Sequence, residues 1–200
     1  MMGKKKYFDE IMSLAEKSPV ISIGDIRRII KIKGSNEKNA KQTINYLVKK
    51  KLLRPLIKGH YTKNDDPTLT VLCLKKAYLG MQEALSIQGL WEQETIPIII
   101  TTDSIRSGVR IIMGSRVLIK RIMKKYYYGE ERLKVGGRYL PVSNKEKTLM
   151  DLLYYKENPG KEVMDELIKR TDKKIVKEYI IKYPERTQEM MKKRIESFPL

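Results

Sequence analysis

Apolar side chains recur at helical spacing through the first part of the chain. Phe8, Ile11, Met12 and Ala15 fall on one helical face. Ser18-Pro19 ends that helix, because proline disfavours helical backbone in the residue before it. A second helix is predicted over about residues 24–32, with Ile26, Ile29 and Ile30 inward and Arg27, Arg28 and Lys31 outward. Lys33-Gly34-Ser35-Asn36 then reads as a short glycine-containing turn of the kind that joins two angled helices. Ser35 or Asn36 can cap the next helix. This third helix, over about residues 37–51, puts Ala40, Ile44, Leu47 and Val48 on one stripe. Lys38, Gln42, Asn45 and Lys49 lie on the opposite side, flanked by Lys41.

The pattern then changes to strand. Leu52-Leu53-Arg54-Pro55-Leu56-Ile57, Lys58-Gly59 and His60-Tyr61-Thr62-Lys63 read as two runs joined by a tight turn, a β-hairpin carrying Arg54, Lys58, His60 and Lys63. Three helices and a hairpin in this order predict a winged helix-turn-helix.

Asn64-Asp65-Asp66-Pro67 is a polar turn cluster and marks the expected domain boundary. Beyond it, strands are predicted at residues 69–74, 96–102, 110–113, 117–123 and 125–128, with a helix over 80–88 ended by Gly89. Gly136-Gly137 signals another hairpin. Ser143-Asn144-Lys145-Glu146 has the form of a capping box and opens a helix with Leu149, Leu152 and Leu153 inward. From Gly160 to Phe198 two or three more helices are predicted, with breaks near Thr171-Asp172 and Tyr183-Pro184. The expected fold class is α+β. It comprises a winged helix-turn-helix over residues 1–64, a mixed α/β domain over 65–158 and a helical extension over 159–200.

Charge sharpens the functional reading. The 200 residues carry 42 Lys+Arg against 24 Asp+Glu, a formal net charge of +18. Residues 1–63 account for a net +11 of this, and the longer remainder for +7. Such a surplus predicts attraction to polyanions. No apolar run approaches the length of a membrane-spanning helix. The start Met1-Met2-Gly3-Lys4-Lys5-Lys6 has a basic tract without the apolar stretch of a signal peptide. The single cysteine, Cys73, excludes an intrachain disulfide and reads as a small buried hydrophobe. These features point to the cytoplasm.

On the third helix, amides mixed with lysines suit double-stranded DNA. Gln and Asn side chains can pair with adenine in the major groove, and lysines reach phosphates and guanine. A solvated helix face usually interleaves Glu with Lys, whereas Glu37 is the only acid here. The expected DNA-contacting set is Arg27, Arg28, Lys38, Lys41, Gln42, Asn45, Lys49, Arg54, Lys58, His60 and Lys63. A protein-interaction module is the competing reading. RNA binding is disfavoured because the segment offers only Tyr46 and Tyr61 as stacking platforms.

Catalytic chemistry is not expected. One histidine and one cysteine are too few for a zinc site of the usual kind. Neither a Walker A sequence nor a Gly-x-Gly-x-x-Gly after a strand is present. Gly114-Ser115 follows an apolar run as in nucleotidyltransferases, but Arg116-Val117-Leu118-Ile119-Lys120-Arg121 supplies no metal-binding acid. Glu130-Glu131-Arg132-Leu133-Lys134 reads as a charged loop rather than a nuclease site, and Tyr126-Tyr127-Tyr128 as a strand edge or a base-stacking surface. Neither a metal nor another cofactor is expected.

Four stretches resemble the AbiEi-type antitoxins of type IV abortive-infection toxin–antitoxin systems and the regulators related to them. The hairpin Leu56-Ile57-Lys58-Gly59-His60-Tyr61-Thr62 is similar to the family's basic wing. Tyr78-Leu79-Gly80 with Ala84-Leu85-Ser86 and Gly89-Leu90 resembles its Ala-Leu-Ser helix, and Ile96-Pro97 with Ile100-Thr101-Thr102 the strand after it. Val142-Ser143, Lys145-Glu146-Lys147 and Leu149-Met150-Asp151-Leu152-Leu153 look like its Glu-Lys-Ala-Leu-x-Asp-Leu motif, with Thr148 in place of Ala. The resemblance spans roughly residues 5–155; the tail after Pro159 carries no family motif. It implies a repressor of its own operon that binds operator repeats, and a second domain that antagonises a nucleotidyltransferase-like toxin. The alternative is a stand-alone transcriptional regulator with no toxin partner.

Overall fold

A computed structural model describes residues 7–196. The basic tract Lys4-Lys5-Lys6 and the end of the predicted tail at Phe198 lie outside them. The chain combines helices with a mixed sheet and C-terminal helices, in two compact units: the first runs to Cys73 and also takes in Ile111–Ser115, and the second comprises Leu74–Arg110 and the chain from Arg116 onward.

The first unit holds helices α1 (Phe8–Lys17), α2 (Ile23–Ile32) and α3 (Ala40–Lys49). Strands β1 (Ile21–Ser22), β2 (Arg54–Pro55) and β3 (His60–Thr62) form an antiparallel sheet in the order β1-β3-β2. Its core is built by the helical stripes. Ile11 and Ala15 of α1, Ile26 and Ile30 of α2, and Ala40, Ile44 and Leu47 of α3 are all buried together with Ile21 and Leu53.

Residues Pro67–Cys73 fold as a 3-10 helix, not the strand that their apolar run suggests. Asp66 decides this locally: its carboxylate accepts from Thr68 N at 2.9 Å and from the Thr68 hydroxyl. Pro67 then sits at the first helical position, where its missing donor costs nothing. The unit therefore runs past the polar cluster at Asn64–Pro67 to Cys73.

A six-stranded sheet in the order β6-β7-β5-β4-β9-β8 lies in the second unit, apart from Ile111–Ser115 at the β6–β7 turn. Its strands are β4 (Ala77–Leu79), β5 (Ile98–Thr101), β6 (Gly108–Ile112), β7 (Ser115–Arg121), β8 (Glu130–Val135) and β9 (Arg138–Ser143). The sheet is mixed: β4 with β9 and β5 with β7 are parallel, while β4 with β5 and β8 with β9 are antiparallel. Gly136-Gly137 turns the β8–β9 hairpin with both residues at positive φ, which glycine tolerates without a Cβ clash.

Helix α4 (Met81–Ile87) and helix α5 (Lys145–Tyr155) pack on this sheet. Helices α6 (Lys161–Lys169), α7 (Lys173–Ile180) and α8 (Glu185–Glu196) pack on α5. Met164, Leu167, Val176, Ile180 and Met191 share one core with Tyr78, Leu85 and Leu149. The cap of α5 differs from the predicted box. Asn144, not Ser143, is the N-cap and accepts from Lys147 N at 2.8 Å, while Glu146 turns away to accept from Asp172 N at 2.8 Å.

Residues 125–128 are not a strand: Lys124–Tyr126 is a 3-10 turn, and its tyrosines turn into the core. Tyr126 stacks on Tyr183 at 4.4 Å between ring centroids, and Tyr128 lies 4.5 Å from Tyr179. Glu130-Glu131 lies on strand β8, not in a loop. Among the described residues no helix is long and apolar enough to cross a membrane.

Candidate nucleic-acid interface

Helix α2 begins with a reciprocal cap that the sequence reading did not single out. Ser22 N donates to the Asp25 carboxylate at 2.9 Å and Asp25 N to the Ser22 hydroxyl at 3.1 Å. The Ser22 hydroxyl also donates to Asp25, and this holds the Asp25 carboxyl below its ordinary range. The Ser-x-x-Asp spacing was the available signal. Arg27 and Arg28 leave the opposite side of α2 exposed to solvent.

The turn to α3 closes as a glycine cap. Gly34 has φ +69°, Gly34 N donates to Lys31 O at 3.0 Å, and Ser35 N donates to Ile30 O at 3.0 Å. Asn36, one of the two predicted caps, accepts from Lys38 N at 2.9 Å and starts a short 3-10 turn, Glu37–Asn39, that leads into α3.

On α3 the two faces separate as the 100° period requires. Ala40, Ile44 and Leu47 are buried, and Val48 is half-buried. Thr43 joins the inner face, its hydroxyl 3.0 Å from Asn39 O and 3.3 Å from the Tyr7 hydroxyl. Lys38, Lys41, Gln42, Asn45 and Lys49 are all exposed. Arg27, Lys38 and Lys41 line a shallow hollow of about 400 Å³ with Glu37 as its only acid. Tyr46, at the edge of the outer face, stacks on Phe8 with centroids 5.3 Å apart and planes at 18°. The pairing joins residues distant in sequence, so periodicity alone could not find it.

The hairpin turns at Ile57–Gly59, where His60 N donates to Ile57 O at 2.9 Å and Gly59 takes φ +82°. Lys58 stands exposed at the tip. The other hairpin cations are less free. Arg54 pairs with Asp65 at 3.1 Å, and Lys63 with Glu16 at 2.7 Å. The Lys63 ammonium holds the Glu16 carboxyl below its ordinary range. His60 is half-buried, with Nδ1 3.3 Å from Lys58 O.

Of the predicted set, Arg27, Arg28, Lys38, Lys41, Lys49 and Lys58 keep free ammonium or guanidinium groups, with no ion pair among the described residues. Gln42 and Asn45 add exposed amides between them. Chemically, this surface offers cations for phosphate oxygens and paired donor–acceptor groups for base edges.

The second unit shows different chemistry. The described residues contain no cluster of three His, Cys, Asp or Glu suited to a metal. Met113-Gly114 forms the turn between β6 and β7, and Ser115 begins β7. Glu130 is exposed, yet partial desolvation raises its carboxyl. The charged groups buried deepest are Lys147 and Asp151, and they face each other inside the core.

No family model matches the chain, and no curated protein matches it. Among solved structures it is similar to the RV2827C protein from Mycobacterium tuberculosis, with 14% sequence identity and a TM-score of 0.66. The match covers 96% of this chain and 76% of that one. At this identity the likeness establishes a shared fold alone.

Proposed function

We propose that the first unit is a winged helix-turn-helix that holds double-stranded DNA, with α3 as the reading helix and the β2–β3 hairpin as the wing. The observation that carries this reading is the outer face of α3, where Lys41, Gln42, Asn45 and Lys49 are exposed with no acid among them, and Lys38 is exposed on the 3-10 turn that leads into it. The elements run helix, strand, helix, helix, hairpin, and β1 completes the wing sheet by pairing with β3. The partner is operator DNA, read through Gln42 and Asn45 and held at its phosphates by Arg27, Arg28, Lys38, Lys41, Lys49 and Lys58.

At the level of physiology, the protein is an autorepressor that also serves as the antitoxin of a type IV toxin–antitoxin pair, its partner toxin being nucleotidyltransferase-like. The resemblance of four stretches to the AbiEi-type antitoxins supports this. Those stretches fall on the hairpin, on β4 with α4, on β5, and on β9 with α5. The protein works in the cytoplasm and needs no cofactor for either role.

The test is a salt-resolved binding titration on the DNA upstream of the protein's own gene. Saturable binding is expected, with log K falling linearly in log salt. Binding that survives simultaneous replacement of Lys38, Gln42, Asn45 and Lys49 by Ala would exclude α3 as the reader. Co-expression with the product of an adjacent nucleotidyltransferase-like gene tests the second role, and growth rescue is the expected outcome.

A further inference from the structure

The four C-terminal helices enclose a bowl that the proposed DNA-binding role leaves unused. It has a volume of about 500 Å³, within the roughly 300–1,000 Å³ of small-molecule sites, which also favour the space between bundled helices. Leu149, Ile168, Val176 and Ile180 are buried and make an apolar floor. Ile195 is half-buried, and Ile181 is 69% exposed at the lip.

The rim has one dominant sign. Lys173, Lys177 and Lys192 line it and are exposed, with Glu196 as the lone carboxylate. None of the three lysines is in an ion pair among the described residues. An apolar floor below unpaired ammonium groups matches a ligand with an apolar chain and an anionic head. Burial of the chain supplies affinity roughly in proportion to its apolar area, and the lysines orient the head at the rim. A hollow of about 500 Å³ among four helices suits one alkyl chain with a single polar head better than a peptide helix, whose successive anchors span several turns.

We infer that this bowl binds a free long-chain carboxylate, with its alkyl chain against Leu149, Ile168, Val176 and Ile180 and its carboxylate at Lys173, Lys177 and Lys192. This site goes beyond the DNA-binding reading and stands or falls without it.

Calorimetric titration of the full-length protein with monomeric dodecanoate tests the assignment, with dodecanol as the uncharged control. Saturable one-site binding is expected, weakened about tenfold or more for dodecanol and for the combined Lys173→Ala, Lys177→Ala and Lys192→Ala variant, since losing the charge-assisted contacts to the head costs about a decade or more. Ile181→Glu, at an exposed position that spares the core, is expected to weaken binding by a similar factor, and circular dichroism confirms that each variant is folded. Promoter-DNA affinity of Ile181→Glu is expected to be unchanged, which separates this site from the α3 surface. Unsaturable uptake, or equal dodecanoate affinity in wild type and all variants, overturns the proposal. So does binding seen only to phosphatidylglycerol vesicles, only to an acidic amphipathic peptide, or only after Phe198→Asp, which would make the chain's own end the occupant.

Discussion

Lys147 and Asp151 form an ion pair one turn apart on α5, with 2.5 Å between Nζ and Oδ1 and neither side chain exposed. Tyr78 donates its hydroxyl to the other carboxylate oxygen at 2.9 Å. The ammonium also lies 4.8 Å from the centre of the Tyr128 ring and 5.7 Å from that of Tyr78. Burial pushes the Asp151 carboxyl upward, and Lys147 and Tyr78 pull against it. This constellation gives the Lys-x-x-x-Asp spacing of α5 a physical role: it ties α5 to β4 at the centre of the second unit.

Breaking that pair on one side leaves an uncompensated buried charge. Lys147→Met or Asp151→Leu alone is therefore expected to destabilise the protein by about 3–5 kcal/mol in urea unfolding. The double variant is expected to recover most of that loss, because two apolar residues of similar size replace both charges. Single variants costing less than about 1 kcal/mol would mean that the buried charge is neutralised or hydrated in the native state.

On α3, amides and ammonium groups are expected to separate by what they read. Gln42→Ala or Asn45→Ala lowers affinity by about 1–3 kcal/mol at the cognate site and relaxes base preference, as measured on a panel of single-base operator variants. Lys49→Ala instead weakens all sequences alike and reduces the salt slope by about one unit. A uniform effect from Asn45→Ala would assign it to backbone contact.

The hairpin cations should not be equivalent. Lys58 is free at the tip, whereas Arg54 is engaged by Asp65 and Lys63 by Glu16. Lys58→Ala is expected to lower the salt slope by about one, and Arg54→Ala or Lys63→Ala by less. Asp65→Asn releases Arg54 and should strengthen DNA binding at low salt. Weaker binding by that variant would show that Asp65 positions Arg54 rather than competing with DNA for it.

Cys73 is half-buried, and burial pushes its thiol up to about 12. The unfolded value is about 8.5, so the folded thiol holds its proton across ordinary pH. Its contribution to stability is fully present below about 8.5 and is lost as pH rises toward the folded value. Alkylation by iodoacetamide at pH 8 is expected to be slow in buffer and fast in urea. Equal rates would show that the 3-10 helix over Pro67–Cys73 opens freely.

Much of the first unit was legible because its signals are local. A helix turns 100° per residue whatever surrounds it, so the inner stripe Ala40, Ile44 and Leu47 already fixed which side Gln42, Asn45 and Lys49 take. Gly34, Asn36 and Gly59 act through their own backbone and nearest neighbours, and their turns were readable from those residues alone.

What only the tertiary structure decided depends on groups far apart in sequence. Lys63 meets Glu16 and Arg54 meets Asp65 because the chain path brings them together, and no periodicity encodes that. The apolar run near Cys73 became a 3-10 helix because an Asp66–Thr68 bond outweighed its strand-like composition. Tyr126 and Tyr128 turned inward because α7 and the segment after it offered Tyr179 and Tyr183 to pack against. Local chemistry thus determined the polar face of α3 from the sequence. Folding determined which of the surrounding charges remain free to meet a partner, because long-range pairing is a property of the whole chain.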